Sequence, residues 1–228
     1  MTSIAANLQA VRARIDAACL AAGRHPESVQ LLAVSKTWPA ASVREATAAG
    51  QRAFGENYLQ EALDKMAQIA APEPDLEWHF IGPLQSNKTR PVAESFSWVH
   101  SVDRLKIAER LAAQRPKHLA PLQSCIQVNV SGEASKSGCQ PAELPALAHA
   151  VAALPGMALR GLMAIPEPSD DPARQREQFA LLRRLRDSLD LELDTLSMGM
   201  SHDLEAAIME GSTLLRIGTA IFGERIRA

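Results

Sequence analysis

Cysteine is scarce and badly placed for chemistry. The 228-residue chain holds Cys19, Cys125 and Cys139, an odd number with no CxxC spacing. That pattern speaks against a disulfide framework and a zinc site, and it fits a reducing cytoplasm. The six histidines form no HxxxH or HExxH grouping, so no metal site is expected. Charge of one sign never gathers into a block and the net charge is −2, which leaves no nucleic-acid footprint. No apolar run approaches the roughly eighteen residues of a membrane span. Arg12, Arg14 and Asp16 interrupt the N-terminal segment, so it does not read as a secretion signal. GxGxxG and GxxxxGKS/T loops are missing too, which argues against an open doubly wound sheet built around a dinucleotide.

What is present is a rhythm. Apolar residues make up 46% of the chain and charged residues 22%, enough for a sizeable core under an ordinary charged surface. Ile4, Leu8, Val11, Ile15 and Cys19 recur at helical spacing and predict an amphipathic N-terminal helix packed on that core. Short apolar runs follow at 30–35, 52–56, 76–82, 97–102, 122–130, 157–165, 191–199 and 213–218. Helical patterns alternate with them. One runs from about 40 to 49 and stops at Gly50; another carries Leu59, Leu63, Met66 and Ile69. A third starts near Asp103. A fourth has Asp171 as N-cap, Pro172 in its first turn, and Phe179, Leu182, Leu185 and Leu189 on one face; a fifth opens at Ser201 and ends at Gly211. Eight strands alternating with helices predict right-handed βα units. The expected fold is one α/β domain over 1–228, a single (β/α)8 TIM barrel with an extra N-terminal helix.

In such a barrel the C-terminal strand ends face the site. Read in order, those ends carry Lys36; Glu56 and Asn57; His79; Ser101 and Asp103; Asn129 and Ser131; Met163; Ser197 to Ser201; and Arg216, Gly218 and Thr219. SMGMSHD and RIGTAIFGE put small residues where backbone N–H groups are bare, and loops after strands seven and eight of a barrel often hold phosphate. Each residue also has a plain structural reading: Ser201 as an N-cap, Gly218 as a turn, Arg216 paired to a carboxylate. LLAVSKTWP ends a strand on Lys36. Lysine ordinarily titrates near about 10.4, and burial at a strand end favours the neutral amine that attacks an aldehyde. An amine on one side of a barrel mouth and a phosphate cradle across from it suit one ligand carrying both an aldehyde and a phosphate, pyridoxal 5′-phosphate.

LLAVSKTWP, FGENYLQE, WHFIGPLQSNK, VHSVD, VNVSGEASKSG, GLMAI and SMGMSHDLEAAIMEGSTLLRIGTAIFG span about residues 31 to 223. In these stretches the chain resembles the pyridoxal-phosphate homeostasis protein family (the YggS/PROSC family). The resemblance implies a fold-type III barrel like the N-terminal domain of alanine racemase, without the C-terminal β domain. It implies that Lys36 holds pyridoxal 5′-phosphate as a Schiff base and that Arg216 faces the pyridine nitrogen. Ser201, Gly218 and Thr219 would hold the phosphate, Asn57, His79 and Met163 would line the ring, and Lys136 matches a family lysine near the site. It further implies a role in vitamin B6 homeostasis, binding and buffering the cofactor and delivering it to apo-enzymes; the cysteine usage points to the cytoplasm, and the expected lack of a second domain to a monomer.

Whether the chain is also an enzyme is a separate matter. Two-base racemisation needs an acid/base on each face of the ring. Lys36 can serve one face; the sole tyrosine, Tyr58, reads as a packing residue at a helix start, and the sequence ends ten residues after Gly218 with no second domain expected. An arginine facing the ring nitrogen leaves it unprotonated and a weaker electron sink. A homeostasis protein without a substrate reaction is therefore the expectation. A racemase-like enzyme and a cofactor-free Schiff-base aldolase are the alternatives.

Overall fold

The computed structural model describes residues 3–69, 76–132 and 137–224; Lys136 lies outside them. Eight parallel strands close into a barrel in sequence order: β1 (Gln30–Val34), β2 (Ala53–Glu56), β3 (Glu77–Phe80), β4 (Trp98–Val102), β5 (Leu122–Gln127), β6 (Met157–Met163), β7 (Thr195–Ser197) and β8 (Leu214–Ile217). β8 pairs back onto β1, with Leu32 opposite Arg216 and Ala33 opposite Ile217. Helices α1 (Ile4–Ala21), α2 (Ala40–Ala48), α3 (Leu59–Ile69), α4 (Thr89–Ser95), α5 (Leu105–Gln114), α6 (Leu144–Ala152), α7 (Pro172–Asp187), α8 (Leu204–Met209) and α9 (Thr219–Phe222) surround it.

The N-terminal helix forms as its spacing predicts. Ser3 Oγ accepts the Ala6 N–H at its start, and Leu8, Val11, Ile15 and Cys19 are buried against α2, α8 and α9. Each large aliphatic side chain buried there contributes about 1.5–3 kcal/mol. Asp171 caps α7 by accepting from the Ala173 N–H, with Pro172 in the first turn, and Phe179, Leu182 and Leu189 are buried. No described helix is long and apolar enough to cross a membrane, and the described residues contain no group of three His, Cys, Asp or Glu fit to hold a metal.

Several boundaries differ from the pattern in the sequence. The seventh strand starts only at Thr195, because Asp194 turns outward to pair with Arg160 and the ladder begins where Thr195 meets Gly161. Ser201 does not open α8. Asp203 Oδ1 accepts the Met200 N–H at 2.6 Å and folds 201–203 into a turn, so the helix begins at Leu204. In α3 Ile69 is buried and Leu59 and Met66 pack partly buried against the core, as the spacing predicts, while Ala62 and Lys65 are buried beside them because the Lys65 ammonium has charged partners under the barrel rim. Short helices α4 and α6 fill the third and fifth crossovers, where the sequence pattern singled out none.

Most core side chains sit between sheet and helices. The barrel interior holds two small apolar clusters, Leu32–Val34–Ala53–Ile81–Leu214 and Trp98–Cys125–Met163. It also holds a run of polar groups on β3, β4, β7 and β8.

Candidate functional site

A cavity of about 200 Å³ opens at the C-terminal end of the barrel. Lys36, Asn57, Ser201, Arg216, Gly218 and Thr219 line it, as the strand-end reading expects. Val34, Trp38, Ile81, Ile165, Met200 and His202 complete most of the wall. Among the described residues no carboxylate lines it, whereas Lys36 and Arg216 do. The field inside therefore favours an anion.

His79 and Met163 do not line the cavity. Both are fully buried one interior layer lower. Strand side chains alternate, so the residue two further along each strand takes the wall position: Ile81 for His79 and Ile165 for Met163. The cradle is also closer to the lysine than the sequence suggested. β8 is the hydrogen-bonded neighbour of β1, so Gly218–Thr219 sits beside the Lys36 loop, not on the opposite rim. A Cβ on Gly218 would lie 3.2 Å from the Val34 carbonyl oxygen, which shows how tightly the two strand ends pack. Trp38 stacks on Phe222 of α9 at 6.0 Å and ties the two loops together.

The Lys36 loop is held in a costly shape. Thr37 has φ 68°, a left-handed conformation that is a true outlier for a β-branched residue and costs about 1–3 kcal/mol. Its N–H donates to Glu61 Oε1 at 2.5 Å, and the Trp38 N–H donates to the Ser35 carbonyl. Beneath lies Lys65, almost fully buried, whose Nζ reaches Glu56 Oε1 at 2.7 Å, Glu61 Oε1 at 2.6 Å and the Ser35 carbonyl at 2.7 Å. Ser35 Oγ donates to the same Glu56 oxygen at 2.6 Å. Burial pushes the Glu56 carboxyl above its ordinary range, with Lys65 pulling the other way. One ammonium thus clamps both carboxylates that fix the residues on either side of Lys36. Lys65 reads in the sequence as a helix-surface residue paired i,i+4 with Glu61, and only its burial exposes this role.

Among the described residues Arg216 finds no carboxylate partner. Nη1 donates to the Ser197 carbonyl at 2.5 Å and to Ser197 Oγ at 2.8 Å, and Nη2 donates to the Ala164 carbonyl at 2.8 Å. These acceptors fix the guanidinium plane. Burial lowers its pKa to about 10, so it stays charged at neutral pH. Nε is left without a protein acceptor among the described residues, on a side chain that forms part of the cavity wall.

At the cradle, α9 is a single turn, and no described group accepts from the N–H of Gly218 or Thr219. Ser201 Oγ accepts the Ala220 N–H at 3.4 Å, which brings the loop after β7 against the start of α9. Across the mouth, Asn57 Oδ1 is buried with no protein donor among the described residues. Its backbone is pressed by Gly82: a Cβ there would overlap the Asn57 carbonyl oxygen and come within 2.8 Å of its Cα. Backbone cannot swing aside as a side chain can. Gly82→Ala is expected to displace Asn57 and to destabilise the fold by about 2–3 kcal/mol, read as a lower urea midpoint at unchanged slope.

The donor set fits a small phosphorylated carbonyl ligand. It offers an amine, a charged guanidinium, bare N–H groups beside a hydroxyl, and an orphaned amide oxygen. Residues 4–226 match the family described as alanine racemase, N-terminal domain. A relative from Pseudomonas aeruginosa, named pyridoxal phosphate homeostasis protein, is 67% identical over 225 residues, 99% of this chain and 97% of its own. The structure of PipY from Synechococcus elongatus, solved with PLP bound, superposes with a TM-score of 0.86 at 41% identity, covering 97% of this chain and all of that one. An alanine racemase from Corynebacterium glutamicum shares the fold at a TM-score of 0.71 and 19% identity, with 96% of this chain matching 62% of that one. The chain belongs to the pyridoxal phosphate homeostasis proteins, a family built on the alanine racemase N-terminal barrel.

Proposed function

We propose that this protein binds pyridoxal 5′-phosphate at the barrel mouth and acts in vitamin B6 homeostasis as a carrier or buffer of the cofactor. The observation that carries this reading is the placement of Lys36 beside the bare N–H groups of Gly218 and Thr219, with Arg216 in the same wall. A PLP-bound structure of a relative at 41% identity and a 67% identical relative named as a pyridoxal phosphate homeostasis protein support it.

In this reading Gly218, Thr219 and Ser201 take the phosphate, and the Arg216 guanidinium faces the ring nitrogen as a donor. Asn57 Oδ1 accepts from the ring hydroxyl, and Ile81 and Ile165 cover the ring. His79 and Met163 support that wall from beneath. When bound, the cofactor supplies an aldehyde that forms a Schiff base with Lys36. Arginine keeps its proton, so the ring nitrogen opposite it remains unprotonated, which weakens electron withdrawal. Tyr58 is 52% exposed and outside the cavity wall, which leaves the second face of the ring without a tyrosine base. The missing tyrosine base supports a binding role over racemisation; the arginine, which the resemblance shares with alanine racemase, does not separate the two. The three buried free cysteines suit a reducing cytoplasm. A monomer that hands its cofactor to apo-enzymes completes the reading.

The test is to add pyridoxal 5′-phosphate to the purified protein, reduce with borohydride and map the modified peptide. One equivalent of label on Lys36, with loss of visible absorbance, is the expected result. Label spread over surface lysines would overturn the assignment.

A further inference from the structure

The polar groups inside the barrel form a continuous line. Glu77 Oε1 lies 2.6 Å from His79 Nε2, and His79 Nδ1 lies 2.9 Å from His100 Nε2. His100 Nδ1 lies 2.8 Å from Ser197 Oγ, which accepts from Arg216 Nη1 at 2.8 Å. Glu77 opens β3 at the N-terminal end of the barrel, with a 42% exposed side chain. Arg216 stands in the cavity wall at the other end. His79, His100 and Ser197 between them are fully buried. The indole of Trp98 stacks on His79 at 5.3 Å and 6° and limits rotation of that ring, while His100 is tilted 58° from it.

Chemistry at the two ends fixes the direction of every proton between them. A guanidinium only donates and a carboxylate only accepts. Ser197 Oγ, already accepting from Arg216, has its own proton to give and His100 Nδ1 to receive it. His100 then carries its hydrogen on Nε2 and donates to His79 Nδ1. His79 carries its hydrogen on Nε2 and donates to Glu77. In this arrangement each of the three middle groups accepts once and donates once, and none is left unsatisfied. Reversing the histidines would aim two donors at Ser197 Oγ and strand its hydroxyl proton. Burial, joined for His100 by the charge of nearby Arg216, also disfavours the protonated imidazoles.

We infer that Glu77, His79, His100 and Ser197 form a one-way hydrogen-bond line through the barrel, and that Glu77 is a positioning residue for Arg216 and so for the ligand it faces. The link to a bound ligand rests on the proposed cofactor site; the line itself does not. Hydrogen bonds in series polarise one another, so the accepting oxygen at residue 77 strengthens the hold of Ser197 on the guanidinium.

The experiment is long-range proton–nitrogen NMR of the histidine-labelled, cofactor-free protein at neutral pH, alongside Glu77→Gln and Glu77→Lys. In the wild type, His79 and His100 are expected as neutral Nε2–H tautomers, with coupling from His100 Nε2 to His79 Nδ1 across the hydrogen bond. Glu77→Gln, which keeps an accepting oxygen, should retain both tautomers. Glu77→Lys, which offers none, should move the nitrogen signals of His100 as well as His79, although residue 77 does not touch His100. Affinity for pyridoxal 5′-phosphate should fall about fivefold in Glu77→Lys and stay within about twofold in Glu77→Gln. A doubly protonated or Nδ1–H histidine in the wild type overturns the line, and that result stands even if the lysine variant does not fold. Unmoved His100 signals or unchanged affinity in a folded Glu77→Lys would overturn the positioning role. Absence of any cofactor binding by the wild type would sink the proposed site while the tautomers still judge the line.

Discussion

Lys36→Ala is expected to erase the visible absorbance that the wild-type protein gains with pyridoxal 5′-phosphate and to abolish borohydride-fixed label. Binding should weaken by about a hundredfold or more, roughly 3 kcal/mol, without vanishing. The remainder comes from groups the substitution does not touch: the bare N–H groups of Gly218 and Thr219, the Ser201 loop and the Arg216 guanidinium. Stability should change little, by about 0.5 kcal/mol or less, because other residues fix the loop that carries Lys36. Equilibrium dialysis read beside the spectrum separates the two contributions. Equal colour in wild type and variant would move the covalent attachment to another lysine, and a variant with no measurable affinity would mean that the cradle contributes nothing by itself.

The division between residues that sequence reading reaches and those it misses follows from what sequence encodes. Lys36, Ser201, Gly218 and Thr219 stand at or just past strand ends, where a polar or small residue after an apolar run marks the rim directly. His79 and Met163 fall one layer short. Period-two alternation fixes which face a side chain takes but not how far along the barrel axis that face becomes the cavity wall. The Ile81 and Ile165 that replace them look like ordinary core residues. Ser201 reads as a helix start, but the competing Asp203, two residues on, takes the Met200 N–H with a carboxylate and delays the helix. The interior line from Glu77 to Arg216 escapes sequence reading altogether, since its members lie on four strands and meet only when the barrel closes.

Lys65→Met is expected to be among the most damaging single substitutions away from the cavity wall. It removes three short hydrogen bonds and leaves Glu56 fully buried with only the Ser35 hydroxyl to stabilise its charge. Breaking one partner of a buried ion pair costs about 3–5 kcal/mol, read by chemical denaturation. The loss should depend on pH in a definite sense. Folded Glu56 already holds its proton above the ordinary value of 4.5, chiefly through burial, and without Lys65 it holds it more tightly still. The folded state then binds more protons than the unfolded one from the ordinary carboxylate range up to the raised value. Stability therefore falls as pH rises through that window, and the variant is weakest at alkaline pH. Adding Glu56→Gln should flatten the pH dependence and restore most of the loss, because the uncompensated charge is gone. What the double variant should not restore is the shape of the Lys36 loop. Glu61 still accepts from the Thr37 N–H, but with no ammonium to hold it in place, so the strained φ of Thr37 relaxes and cofactor affinity stays low while stability recovers. Recovery of both together would mean that the clamp serves the fold alone.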